Sequence, residues 1–208
     1  PMVLNPIPFL SGLTASTADL SSITGLNFSW IPASKHRLYG QFALTDLNFQ
    51  KNAWQIGYRG FSFFGLHDLM VQVEYNAVSS GMYNTSNRRL NYVNYNLPIA
   101  HPKGNGFQEL LFRANYEWKR MYVDLASFLF ILHDHSQVDL LPVVKTVNRQ
   151  TGNVFNQQLE FGYRFNRKMN LSIFANWLYR KESFGEQLQT SAISIGLRTG
   201  INNHYNDF

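Results

Sequence analysis

The stretch LEFGYRFNRKMNLSIFANW, Leu159 to Trp177, decides the fold class. Leu159, Phe161, Tyr163 and Phe165 alternate with Glu160, Gly162 and Arg164. After Asn166-Arg167-Lys168 the alternation resumes, with Met169, Leu171, Ile173, Ala175 and Trp177 set against Asn170, Ser172, Phe174 and Asn176. Successive side chains of a strand point to opposite faces, so this stretch predicts a β-hairpin with one apolar and one mostly polar face.

The pattern recurs outward in both directions. Upstream, Leu26, Phe28 and Trp30 share a face, as do Leu38, Gly40, Phe42 and Leu44, and then Trp54, Ile56 and Tyr58. Leu69, Val71, Val73 and Tyr75 oppose Met70, Gln72, Glu74 and Asn76; Leu110, Phe112, Ala114, Tyr116 and Trp118 oppose Leu111, Arg113, Asn115 and Glu117. Met121 to Phe130 is strand-like and apolar on both faces apart from Asp124 and Ser127, and Ile193, Ile195 and Leu197 close the series. The pattern predicts nine strands, or ten if Val3 to Leu10 pairs despite its prolines. Numbered in that order, links 1–2, 3–4, 5–6 and 7–8 are short, links 4–5 and 6–7 long, and links 2–3 and 8–9 intermediate. Short turns on one rim and long loops on the other are the asymmetry of an outer-membrane barrel.

Composition narrows the choice of solvent. Charged residues make up 15% of the 208 residues and aromatics another 15%, against roughly 25% charged in ordinary soluble domains. The mean hydropathy is slightly negative, and no apolar run reaches the ~18 residues of a transmembrane helix. Cysteine is absent, which excludes disulfides and thiolate metal sites. The net charge of +5 is dispersed, so no basic stripe points to nucleic acid. No secretory signal opens the chain, and Pro1-Met2-Val3 reads as the start of a processed or internal segment.

Alternation by itself also suits a soluble β-sandwich or a lipocalin-like barrel with its apolar face inside. Two features favour the membrane. The polar face is rich in Asn, Gln, Ser, Gly, Arg and Glu but poor in Lys, and the apolar faces end in Trp30, Trp54, Tyr75, Tyr116, Trp118, Trp177 and Tyr179, as an interfacial girdle would. The expected fold is therefore all-β, a transmembrane antiparallel barrel wall. Glu74, Arg59, Arg113, Glu117, Asp124, Glu160, Arg164 and Arg198 would face its lumen, pairing across neighbouring strands. Lys119, Arg120, Arg167 and Lys168 are expected in short turns at the periplasmic rim.

Several segments resemble the Wzi-like capsule-assembly family of outer-membrane barrels, most closely its Bacteroidota branch, which includes gliding-motility-associated proteins. They are LNPIPFL (Leu4 to Leu10), LYGQFALTDL (Leu38 to Leu47, with Asp46), NYVNYNLPIAHPKGNGFQE (Asn91 to Glu109) and SIGLRTGINNHYNDF (Ser194 to Phe208). The terminal Phe208 is also a familiar outer-membrane assembly signal. Lys103, Asn105 and Gly106 depart from the branch, which usually has Leu, Ala and Asn there. The resemblance implies a barrel of about eighteen strands, in the even-numbered range of such proteins, with this chain as its C-terminal half. The alternative is a small ten-strand barrel closed by these residues alone. The resemblance also implies the cell outer membrane as location and surface polysaccharide assembly or retention as function. A structural accessory role in a protein-secretion or gliding complex, and a plain diffusion pore, are the other readings.

The link from Val78 to Gln108, 31 residues long, is the candidate binding element, because unstructured loops beyond ~12–15 residues are uncommon without a role. Tyr83, Arg88, Arg89, Tyr92, Tyr95, Asn96 and His101 are its candidate glycan-binding residues. Aromatic faces stack on sugar rings, and Asn amides and Arg forks bond hydroxyls and carboxylates, a mix that suits an acidic polysaccharide. The same loop equally suits a plug whose polar groups satisfy one another. LHDHS, Leu132 to Ser136, places His133 and His135 beside Asp134 without a third ligand, and reads as polar loop rather than a metal site. No Gly-x-Ser-x-Gly, Walker or His-Glu-x-x-His motif occurs, so no catalytic residue, metal or cofactor is expected.

Overall fold

The computed structural model describes residues 22–45, 48–63, 65–83, 93–94, 97–98, 101, 104–133, 151–166, 169–184 and 186–200. Every element among the described residues is a strand: β1 (Ile23–Ala33), β2 (His36–Thr45), β3 (Asn48–Phe63), β4 (Leu66–Val78), β5 (Val93–Asn94), β6 (Leu97–Pro98), β7 (Phe107–Trp118), β8 (Met121–Leu132), β9 (Gly152–Asn166), β10 (Leu171–Phe184) and β11 (Glu186–Arg198). Nine of them form one antiparallel sheet in the order β1-β2-β3-β4-β7-β8-β9-β10-β11, and β5 and β6 form a separate short hairpin. The nine strands of the sheet are the nine that the alternation predicts. The Leu4–Leu10 segment, Asp46 and Phe208 lie outside the described residues, as do Arg167 and Lys168.

The strands run longer than the apolar pattern suggests. Two residues separate β2 from β3 and a single residue separates β10 from β11, where intermediate links are expected from sequence. The long-link rim therefore carries two long connections and two tight ones. The reason lies in the outward positions of the strand ends. Lys181, Ser183, Gln187 and Gln189 continue the apolar face of β10 and β11 with polar side chains, and their ladder continues through Lys181↔Gln189 and Ser183↔Gln187. A run without apolar alternation still pairs when its neighbour supplies the backbone hydrogen bonds.

At the opposite rim each of four connections holds a described residue in the left-handed region, Lys35 (φ 74), Gly65 (φ 77), Lys119 (φ 55) and Asn170 (φ 47), and Ser62 (φ 63) is a second one beside Gly65. Such residues reverse a chain between twisted strands in little space.

Register fixes which side chains share a face. Leu69, Tyr116, Val123, Phe161, Ala175 and Ile195 lie in one row across six strands. Asn115, Asp124, Glu160, Asn176 and Ser194 form a row on the other face. The apolar face is open: among the described residues twenty-seven large apolar side chains are exposed against eight buried, most of the exposed ones on this face, and Ile193, Ile195 and Leu197 are 74–76% exposed. Burial is instead found on the polar face. Its apolar part is a small cluster at the long-link end, where Phe107, Phe130, Leu132 and Val154 pack with Val78, Phe128 and Phe184.

Elsewhere the polar face is held by rings laid over glycines. A Cβ on Gly57 would collide with the Tyr39 ring, one on Gly162 with Tyr122, and one on Gly196 with Phe174. A bare backbone on one strand lets its neighbour's aromatic lie flat against the sheet. Two of these rings carry guanidinium groups, Arg164 over Tyr122 at 5.0 Å and Arg198 over Phe174 at 4.5 Å.

From there each arginine forms a two-pronged pair. Arg164 donates to both oxygens of Glu117 at 3.0 and 3.1 Å, and Arg198 to both of Glu160 at 2.8 and 3.0 Å. Glu160 also accepts from the Tyr122 hydroxyl at 2.9 Å. These ion pairs do not join neighbouring strands, as expected from sequence; each skips one, because the adjacent position holds the ring or the glycine beneath it. Asp124 is satisfied by the Asn115 amide on the neighbouring strand.

Replacing Gly162 with Leu should lift Tyr122 from the sheet and cost about 1–3 kcal/mol, the range for overpacking. Adding Tyr122→Ala to that variant should return part of the loss. Thermal unfolding followed by circular dichroism reads both, and equal midpoints for wild type and Gly162→Leu would refute the packing.

Candidate functional site

The period-two pattern of β4 places Gln72, Glu74 and Asn76 on the polar face in succession. Glu74 is the hub. It accepts from the Tyr39 hydroxyl at 2.6 Å, from Gln55 Nε2 at 2.8 Å and from Asn76 Nδ2 at 2.9 Å. Tyr39 stands two strands away on β2, and it reaches Glu74 only because Gly57 lies between them. Asn76 Nδ2 also donates to Glu109 Oε2 at 2.8 Å, so one amide group bridges two carboxylates. Gln72 is buried, donates to Tyr39 Oη at 2.9 Å, and accepts from Arg59 at 2.7 and 3.2 Å.

The long connection folds over this face at both of its described ends. Ser79 is tied to Asn52 by two hydrogen bonds, through its amide at 2.9 Å and its side-chain oxygen at 2.8 Å. A turn with Gly81 at φ 76 brings in Met82, which is fully buried, and the Thr45 hydroxyl donates to the Met82 carbonyl. At the other end Gly104 N donates to the His101 carbonyl at 2.8 Å, and His133 N to the Gly106 carbonyl at 2.9 Å. Gly104 and Gly106 are both left-handed, at φ 76 and 69. The His101 ring stacks on Phe107 with centroids 4.4 Å apart, and its Nε2 lies 3.5 Å from Glu109.

These pieces line an open cavity of about 320 Å³. Gln41, Gln55, Glu74, Asn76 and Glu109 form its polar wall, Tyr83 and His101 come from the loop, and Val78, Phe107 and Leu111 close the apolar side. The volume is at the low end for small-molecule sites, ~300–1,000 Å³. Its chemistry is acceptor-rich, with two carboxylates and three amides beside rings. Such a wall bonds hydroxyl groups well and repels anions.

Of the loop residues singled out from sequence, Tyr83 and His101 line the cavity. Arg88, Arg89, Tyr92, Tyr95 and Asn96 lie outside the described residues or their described side chains, as do Asp134 and His135. Of the charged wall residues, Glu74 is in the cavity, Glu117 with Arg164 and Glu160 with Arg198 are paired, and Arg59 and Arg113 share a row with Gln72. Sequence reasoning missed Gln41, Gln55, Asn76 and Glu109 as site residues. The available signal was that each sits on the same alternation phase as Glu74. Among the described residues no three His, Asp or Glu side chains gather as a metal site. Comparison with family models, with curated proteins and with solved structures finds no match for this chain.

Asn76→Leu should leave Glu74 and Glu109 facing one another without their shared donor, at a cost of about 1–3 kcal/mol. Glu109→Gln in that background should restore part of the stability, since it removes the repulsion. A double-mutant cycle on chemical unfolding measures the coupling; strict additivity would show that the amide does not link the two carboxylates.

Proposed function

We propose that this chain is a non-enzymatic part of an outer-membrane β-barrel wall that serves in surface polysaccharide assembly or retention. The observation that carries the membrane step is the reversal of burial, with twenty-seven large apolar side chains exposed and eight buried among the described residues. A soluble sheet would cover that face. On β10 the apolar outward positions run over nine residues, from Leu171 to Tyr179, before Lys181 begins the polar end. Tilted membrane strands need about 9–11 residues to cross the apolar core. Trp177 and Tyr179 stack at that boundary, 6.0 Å apart, where a girdle belongs.

The step from wall to glycan rests on the resemblance to capsule-assembly barrels and on the cavity. Its carboxylate and amide wall, with Tyr83 and His101 over it, suits an uncharged, hydroxyl-bearing sugar unit. Lipid would contact the apolar face, and the polar face would meet a wet lumen. A second reading is an accessory subunit of a larger outer-membrane secretion or gliding complex. Among the described residues β1 and β11 each have a strand neighbour on one side only, which favours it, since strand edges attract further strands.

Two measurements separate these readings. The purified full chain should need detergent to stay monodisperse; stability in plain buffer would overturn the membrane step. In cells, Glu109→Ala and Tyr83→Ala should lower retained surface polysaccharide severalfold while the barrel still reaches the outer-membrane fraction. Unchanged retention, with stable co-purification of a much larger membrane protein, would favour the accessory role.

A further inference from the structure

One register row on the polar face carries three arginines. Arg37 on β2 lies opposite Arg59 on β3, Arg59 opposite Gln72 on β4, and Gln72 opposite Arg113 on β7. All three arginines are exposed. None forms an ion pair with a carboxylate among the described residues, in contrast to Arg164 and Arg198 on the same face, which are each gripped by a glutamate.

What holds the three guanidinium groups is neutral. Arg37 Nε donates to Ser29 Oγ at 2.9 Å and its guanidinium lies 5.9 Å from the Tyr39 ring centre. Arg59 grips the Gln72 side-chain oxygen with two nitrogens. Arg113 rests over Phe128 at 5.5 Å. These contacts orient the groups and leave their charge uncompensated. A guanidinium has five donors, and those not used here remain for an incoming oxyanion. Adjacent strands are ~4.8 Å apart, so the row spans about 14 Å across three strand spacings.

We propose that this row is a binding site for the carboxylate groups of an acidic glycan, lying next to the Glu74 cavity. The inference rests on the lumen and glycan reading above and names its substrate class: a polysaccharide with alternating neutral and acidic units. Gln72 and Glu74 are two residues apart on β4, or about 7 Å along the strand. A neutral sugar in the acceptor-rich cavity therefore places the next unit over the arginines. The two sites have opposite chemistry, so an acidic unit is rejected from one and drawn to the other. Arg forks suit this task because they bond carboxylates in two-pronged fashion.

The test titrates the full chain in detergent micelles with a hyaluronan tetrasaccharide, which alternates neutral and acidic units, and with neutral chitotetraose. Wild type should bind the acidic tetramer about tenfold or more tightly than the neutral one, and that preference should shrink steeply as salt rises. Combined Arg37→Gln, Arg59→Gln and Arg113→Gln should abolish the preference, whereas the three Lys replacements should retain part of it. Should the triple Gln variant fail to assemble, Arg113→Gln alone carries the test and should reduce the preference severalfold. No acidic preference in wild type, or full preference in the Gln variants, overturns the proposal. Loss of the preference in the variants with unchanged polysaccharide retention in cells leaves the arginine site standing and overturns the retention role instead.

Discussion

Arg198 reaches Glu160 across an intervening strand, and Arg164 reaches Glu117 in the same way. The sheet depends on these spans. An ionised group laid against the face of a sheet must be paired or solvated, since its desolvation is costly. Each span needs a flat ledge, and Tyr122 and Phe174 supply it because Gly162 and Gly196 leave room for their rings. Three strands are thereby tied by each clamp, where a backbone ladder ties only two. The polar face therefore does the work that a hydrophobic core does in a soluble sheet, while the apolar face stays uncovered.

That division also explains where the binding chemistry sits. Across β7 to β11 the charges Glu117 with Arg164 and Glu160 with Arg198 cancel in pairs. In the middle of the face, at Gln72, cancellation stops: Arg59 on one side and Glu74 on the other are separated by a neutral side chain that bonds Arg59 and Tyr39. The carboxylates gather with amides beneath the long loop, and the free guanidinium groups gather one step below. The loop is part of the same construction, because Met82 and the His101–Phe107 stack anchor its ends against the wall.

Much of the sheet was legible in the sequence. Period-two alternation found all nine strands because one face is almost uniformly apolar, and that uniformity leaves a regular signal. It failed at the strand ends. Around Lys181, Ser183, Gln187 and Gln189 the apolar face turns polar, and Phe184 and Leu188 on the other face are too few to mark a ladder. The site was legible in part. Glu74 stands out as a charge in an alternating strand, and Tyr83 and His101 as rings in a long loop. Gln55, Asn76 and Glu109 look like any other polar wall positions until register brings them around Glu74. Skipped-strand pairing was hidden for the same reason, since it depends on which residue stands opposite which.

The sheet order has a parity that bears on the whole assembly. With nine alternating strands, β1 and β11 point the same way. Curling that sheet shut on itself would make a parallel seam, whereas a cylinder with only antiparallel neighbours takes an odd number of inserted strands between the two edges. One insert makes ten staves and nine make about eighteen, both even as single-chain bacterial barrels require. In the proposed barrel the circumference, and with it the width of any passage beside Glu74 and Arg59, would be set by how many staves are added.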